Sequence, residues 1–121
     1  MLLDGNIVDK NDARIEVNGC LDELNTRLGL LRDSDMDPEI NLEFIAIQKA
    51  LFEISATLAV DRSGEMSRFD AAHWDLLVEA MEVRMDYWAT ILPPLTNFII
   101  PGPNPKVGLV HLARTCCRTA E

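Results

Sequence analysis

The sequence predicts an all-α protein: an antiparallel bundle of four helices forming a single domain over residues 1–121. Three observations carry that expectation. Apolar residues recur at spacings of three and four in four separate stretches. The stretches are divided by breaks rich in Asp, Gly and Pro. Aromatic residues make up only 6% of a chain that is 48% hydrophobic. The core is therefore aliphatic, as bundle cores tend to be.

Asp4, Gly5 and Asn6 read as a turn. The first helix, over residues 12–32, follows from the stripe Val17, Cys20/Leu21, Leu24, Leu28 and Leu31. Residues 33–37 form a polar break, in which Asp37 caps a second helix and Pro38 takes its first position. That helix, over 38–60, carries Ile40, Phe44, Ile47, Leu51, Ile54 and Leu58 on one side. A charged loop over 61–68 leads to Asp70, a second capping residue. The third helix follows with the stripe Trp74, Leu77, Met81, Met85 and Trp88, and ends near Leu92 because Pro93 and Pro94 cannot continue it. Residues 95–100 are short and extended, closed by Pro101-Gly102-Pro103-Asn104-Pro105. A fourth helix begins near Pro105 with Leu109, Leu112/Ala113, Cys116 and Ala120 inward. It reaches Glu121 without a terminating Gly, Asn or Pro, so the chain is expected to be cut short or to end an ordered segment there.

Charge and cysteine content narrow the function. A formal net charge of -9 repels nucleic-acid phosphates and anionic membrane surfaces, so neither partner is expected. An anionic substrate would have to be met by a local gathering of the 11 Lys and Arg residues. Three irregularly spaced cysteines do not make a disulfide framework. With no signal peptide and no membrane-length apolar run, the expected location is cytoplasmic. A di-iron bundle site is rejected, because the residues three before His73 and His111 are Asp70 and Gly108 rather than Glu. Zinc, dinucleotide and nucleophile-elbow signatures are absent as well, and no metal ligands are assigned.

Three segments together point further. Lys10-Asn11-Asp12-Ala13-Arg14-Ile15-Glu16-Val17-Asn18-Gly19 runs into Leu21-Asp22-Glu23-Leu24-Asn25 and Leu28-Gly29. Ile47-Gln48-Lys49-Ala50-Leu51-Phe52 is followed by Leu58-Ala59. Phe98-Ile99-Ile100-Pro101-Gly102 precedes His111-Leu112-Ala113-Arg114-Thr115-Cys116-Cys117-Arg118-Thr119-Ala120-Glu121. In order and spacing these resemble the motifs of the PduO-type ATP:cob(I)alamin adenosyltransferases. Any one segment is weak, but the first and third together are specific.

The resemblance implies a ferritin-like bundle with a fifth helix beyond Glu121 and a phosphate-wrapping Thr-Gly-Asp segment ahead of Met1. It implies transfer of the 5′-deoxyadenosyl group of ATP to the cobalt of cob(I)alamin, with Mg, in a homotrimer whose substrates lie between subunits. Lys10 and Arg118 then meet the triphosphate, with Glu121 beside Arg118 on the fourth helix. Glu16 and Asn25 lie near the same cleft. Asp22 pairs with Arg114 across a subunit boundary, and Phe98 packs beneath the corrin. Pro103 stands where the family has its second glycine, and Thr119 where it has its second arginine. A divergent, catalytically weak member that binds corrinoid or nucleotide is thus the alternative, and a ligand-free helical interaction module is the third reading.

Without the resemblance the same residues read more plainly. Arg114, Arg118 and Glu121 share a helix face at i, i+4 and i+7, which spacing alone makes a solvated face with an Arg118–Glu121 pair. Asp22 reads as an exposed carboxylate. Phe98 reads as core filling beside Pro94, Leu95 and Ile99.

Overall fold

The structure is a computed structural model, and it describes residues 13–59 and 71–121. It contains four helices, α1 (Ala13–Asp33), α2 (Pro38–Leu58), α3 (Ala71–Ile91) and α4 (Pro105–Ala120), and no strand among the described residues. The all-α expectation holds, with helix limits within two residues of those read from the apolar spacing. The expected cap at Asp70 lies outside the described residues, as does Lys10. No described helix is long and apolar enough to cross a membrane.

The chain divides into two units, Met1–Glu65 with Pro101–Glu121, and Met66–Ile100. In the first unit α1 is the central element. Its stripe supplies Leu21, Leu24, Leu28 and Leu31 to a core completed by Leu51 of α2 and by Ala113 and Cys116 of α4. Val17, Phe44, Ile47, Ile54, Leu58, Leu109 and Ala120 pack around it.

The break after α1 makes the hairpin. The Ser34 amide and hydroxyl both donate to the Leu31 carbonyl, and Asp35 takes the left-handed φ of 60° that turns the chain away. Asp is among the few residues that tolerate this conformation. Lys106, in the first turn of α4, donates through Nζ to the Asp35 carbonyl at 2.7 Å. Farther along α4, Cys116 Sγ lies 3.9 Å from the carbonyl oxygen of Cys20. These two contacts run α4 antiparallel to α1.

Both caps in this unit follow one rule. Asp37 accepts from the Glu39 amide ahead of Pro38, and Asn104 accepts from the Lys106 amide ahead of Pro105, each at 2.9 Å. An Asx residue before proline satisfies an orphan donor at a position where proline loses nothing. Asp37→Ala is expected to lower the unfolding free energy by about 1 kcal/mol, measurable by urea titration. Gly102, at φ 105°, supplies the turn into α4 that a residue with a side chain would adopt only under strain.

The second unit holds α3 and the segment that follows it. α3 ends with the Leu92 amide bonded to the Trp88 carbonyl, just before Pro93. Its half-buried line is Trp74, Leu77, Arg84 and Trp88. The Arg84 guanidinium lies 5.1 Å from the Tyr87 ring centroid and 5.5 Å from that of Trp88. Met81 and Met85, expected inward, are exposed. One helix and one extended segment cannot enclose an apolar stripe, which needs a facing element. The Arg84 guanidinium instead lies over the aromatic surface.

Candidate functional site

The site residues expected from the sequence fall into both units. On α1, Glu16 is exposed in the first turn and Asp22 is exposed at mid-helix. Asn25 is different. It is only 9% exposed and sits within the leucine stripe between Leu21 and Leu28. Its Oδ1 is buried and has no hydrogen-bond partner. Leaving a buried acceptor unsatisfied costs about 1–3 kcal/mol, so this amide is poorly explained by packing alone.

A polar contact between helices is built around Asn25. Gln48 of α2 donates through Nε2 to the Asn25 carbonyl at 3.1 Å, and its Oε1 accepts from Arg32 Nη1 at 2.9 Å. Neither Gln48 nor Arg32 was assigned a role from the sequence. The signal was present: Gln48 stands directly after Ile47 on the apolar side of α2, where a polar residue needs a reason.

On α4, Arg114, Arg118 and Glu121 are all exposed. Arg118 Nη1 bonds Glu121 Oε2 at 2.7 Å, with the side chains 73% and 68% exposed. This is the local pair that spacing alone suggested. Among the described residues, neither the Asp22 carboxylate nor the Arg114 guanidinium has a partner within the chain. One chain therefore does not join them.

Between α1 and α4 lies a groove bounded by Glu23, Arg27, Thr115, Cys116 and Thr119. Arg27 Nη2 bonds Glu23 at 2.6 Å, and that hydrogen bond pushes the guanidinium further toward its charged form. The Thr119 hydroxyl is committed to its own helix, donating to the Thr115 carbonyl at 3.1 Å. Cys20, Cys116 and Cys117 are all free thiols.

In the second unit Phe98 is 106% exposed and borders a shallow hollow with Leu95, Thr96 and Asn97. The core-filling reading of Phe98 is thereby overturned. Residues 92–100 have no regular structure and Leu95, Ile99 and Ile100 are exposed with it, so no cluster forms in which to bury the ring. A bare phenyl ring on an extended segment is an apolar surface prepared for something else.

Comparison with known proteins gives these features a context. The chain is 36% identical over 120 residues to a corrinoid adenosyltransferase from Citrobacter freundii, covering 99% of this chain and 68% of that protein. It is 34% identical to the corrinoid adenosyltransferase of Bacillus subtilis, covering 97% of this chain and 61% of that protein. A variant PduO-type ATP:corrinoid adenosyltransferase from Lactobacillus reuteri, complexed with cobalamin and ATP, superposes with a TM-score of 0.82 at 27% identity. That likeness covers 98% of this chain and 64% of the other. The chain thus spans roughly two thirds of the length of these relatives. The family model for cobalamin adenosyltransferase matches residues 1–121 from end to end, and the protein belongs to that family.

Proposed function

We propose that the protein transfers the 5′-deoxyadenosyl group of ATP to the cobalt of cob(I)alamin, giving adenosylcobalamin and triphosphate. The observation that carries this reading is the family match along the whole chain, supported by the likeness to an enzyme complexed with cobalamin and ATP. Reduced cobalt brings the electron pair. A Co–C5′ bond forms, the C5′–O bond breaks, and triphosphate leaves with the bonding pair. The nucleophile belongs to the corrinoid, so little proton transfer is asked of the protein. Its tasks are to hold two substrates in line and to stabilise the departing charge.

Arg118 is suited to the second task. Its planar fork matches phosphate oxygens. Its present partner, Glu121, holds it through an exposed ion pair that contributes about 1 kcal/mol at most, so a phosphate can displace the carboxylate. Lys10 supplies a second cation, and Glu16 and Asn25 border the same cleft. Among the described residues, no group of three His, Cys, Asp or Glu could hold a metal ion. Magnesium then arrives with ATP, held by phosphate oxygens and water. Phe98 walls the lower face of the corrin, keeping the lower axial ligand and water from the cobalt.

The assembly is a homotrimer in which Asp22 of one subunit meets Arg114 of the next. The exposure of both groups and their lack of a partner among the described residues of the chain support this. Residues 1–121 act within it as one helical-bundle domain, as the uninterrupted family match suggests. A cytoplasmic location suits both the Co(I) chemistry and the three free thiols.

The test is an anaerobic assay with ATP and reduced cobalamin, following loss of Co(I) absorbance and formation of adenosylcobalamin. No product would overturn the reading. Arg118→Ala is expected to weaken ATP binding by about 10- to 100-fold, since a bond to a charged group contributes roughly 1.5–3 kcal/mol. Equal affinity would remove Arg118 from the site. Thr119 favours a second reading, because its hydroxyl is turned to the Thr115 carbonyl where the motif that the sequence resembles has its second arginine. A chain that binds ATP and cobalamin yet turns over slowly would be the divergent member that this substitution suggests.

A further inference from the structure

Among the described residues, nothing packs over Phe98. It is fully exposed on an extended segment, and Leu95, Ile99 and Ile100 are exposed with it. Where the ring is held therefore depends on how the chain is anchored to either side. Toward α4 the intervening chain is stiff. Pro101, Pro103 and Pro105 have a fixed φ, and Ile100, Gly102 and Asn104, each ahead of a proline, are restricted in turn. A shift in the first turn of α4 is thus passed along to Phe98 and not absorbed on the way.

That first turn is weakly held by its own packing. Pro105 and Val107 are exposed, Gly108 has no side chain, and Leu109 is the first residue of α4 to pack against the described core. Gly108 also loosens the turn, because glycine has the most backbone freedom to lose on becoming helical. No close approach demands it, since a Cβ there would meet nothing within 4 Å. Lys106 ties this turn to the rest of its unit. Its Nζ donates to the carbonyl of Asp35, just beyond the end of α1, at 2.7 Å. A cation in the first turn of a helix opposes that helix's own dipole, whereas the same charge is favourable at the carboxyl end of another. Lys106 is placed for α1 and not for α4. We infer that Lys106 is a positioning residue for Phe98. By pinning the first turn of α4 to the hairpin, it fixes the proline-stiffened segment that presents the ring. This inference rests on the reading that Phe98 walls the lower face of the corrin.

The experiment compares Lys106→Met with the parent on the whole protein under anaerobic conditions. Methionine keeps much of the stem and removes the donor. Turnover from Co(II) cobalamin with a supplied reductant is expected to fall about five- to tenfold. Turnover from cobalamin already reduced to Co(I), and KM for ATP, should stay within about twofold. In the ATP-loaded protein, the electron paramagnetic resonance spectrum should show less four-coordinate Co(II). Lys106→Arg, which can still donate to the carbonyl, should keep the parent rate. Adding Gly108→Ala to Lys106→Met stiffens the turn by another means and should restore most of the lost rate. In a Phe98→Ala background Lys106→Met should add nothing further. A parent-like Co(II) rate in Lys106→Met overturns the inference. So does an equal fall in Co(I) turnover, which general loss of structure would produce. If Phe98→Ala itself turns over Co(II) at the parent rate, the reading of Phe98 fails and the inference falls with it. A slow Phe98→Ala beside an unaffected Lys106→Met overturns the anchoring role alone.

Discussion

Phe98→Ala is expected to leave the folded protein as stable as before and to slow adenosylation from Co(II) corrinoid by about 100-fold. The first half follows from exposure. A ring that is 106% accessible contributes no burial to the chain's own fold, so the unfolding free energy should change by less than about 0.5 kcal/mol. The second half follows from the proposed chemistry. A phenyl wall beneath the corrin denies the cobalt its lower ligand, and four-coordinate cobalt is the form more easily reduced to Co(I). Alanine cannot reach across that gap, and water or a corrin side group enters. ATP affinity should be unaffected, because Arg118, the described residue assigned to the triphosphate, lies on α4. Stopped-flow turnover with a Co(II) substrate, paired with calorimetry for ATP, separates the two. A variant that turns over at the parent rate would take Phe98 out of the mechanism.

Leu31→Ala is expected to lower the unfolding free energy by about 3 kcal/mol. Leu31 is 1% exposed, the one large side chain enclosed to that degree among the described residues. Removing its methyl groups forfeits their transfer free energy and leaves a cavity that close-packed neighbours fill only in part. A loss of that size is a large share of the roughly 5–15 kcal/mol that holds an ordinary domain. The adjacent residue supplies the control. Leu30 is half exposed on the other side of the helix, and Leu30→Ala should cost under about 1 kcal/mol. Chemical denaturation of both variants reads the difference. Equal losses would mean that α1 does not present the face described here.

Much of the first unit was legible in the sequence. Val17, Leu21, Leu24, Leu28 and Leu31 repeat at helical spacing and do form the inner face of α1. Asp37-Pro38 reads as a helix start and is one. Asn104-Pro105 carries the same signal and caps α4 in the same way, although the sequence reading placed only the helix start there. The Arg118–Glu121 pair is likewise a consequence of local spacing. Elsewhere the local pattern was insufficient. Met81 and Met85 have the right spacing for an inner face but are exposed, and Phe98 is fully bare although apolar residues surround it in sequence. Asn25 looks like one polar residue among leucines, and its burial with an unpaired oxygen is invisible until the helices are placed.

The sequence by itself determined where the helices begin and end, which side of α1, α2 and α4 is apolar, and the family to which the chain is similar. Those properties depend on neighbours within a turn or two, whose spacing is written into the chain. Only the tertiary structure decided that Gln48 reaches across to the Asn25 carbonyl and Arg32, that Lys106 fastens α4 to the hairpin at Asp35, and that Asp22 and Arg114 find no partner among the described residues of one chain. Such contacts join residues distant along the polypeptide. Their formation depends on how packed helices set distance and register, which no local periodicity records.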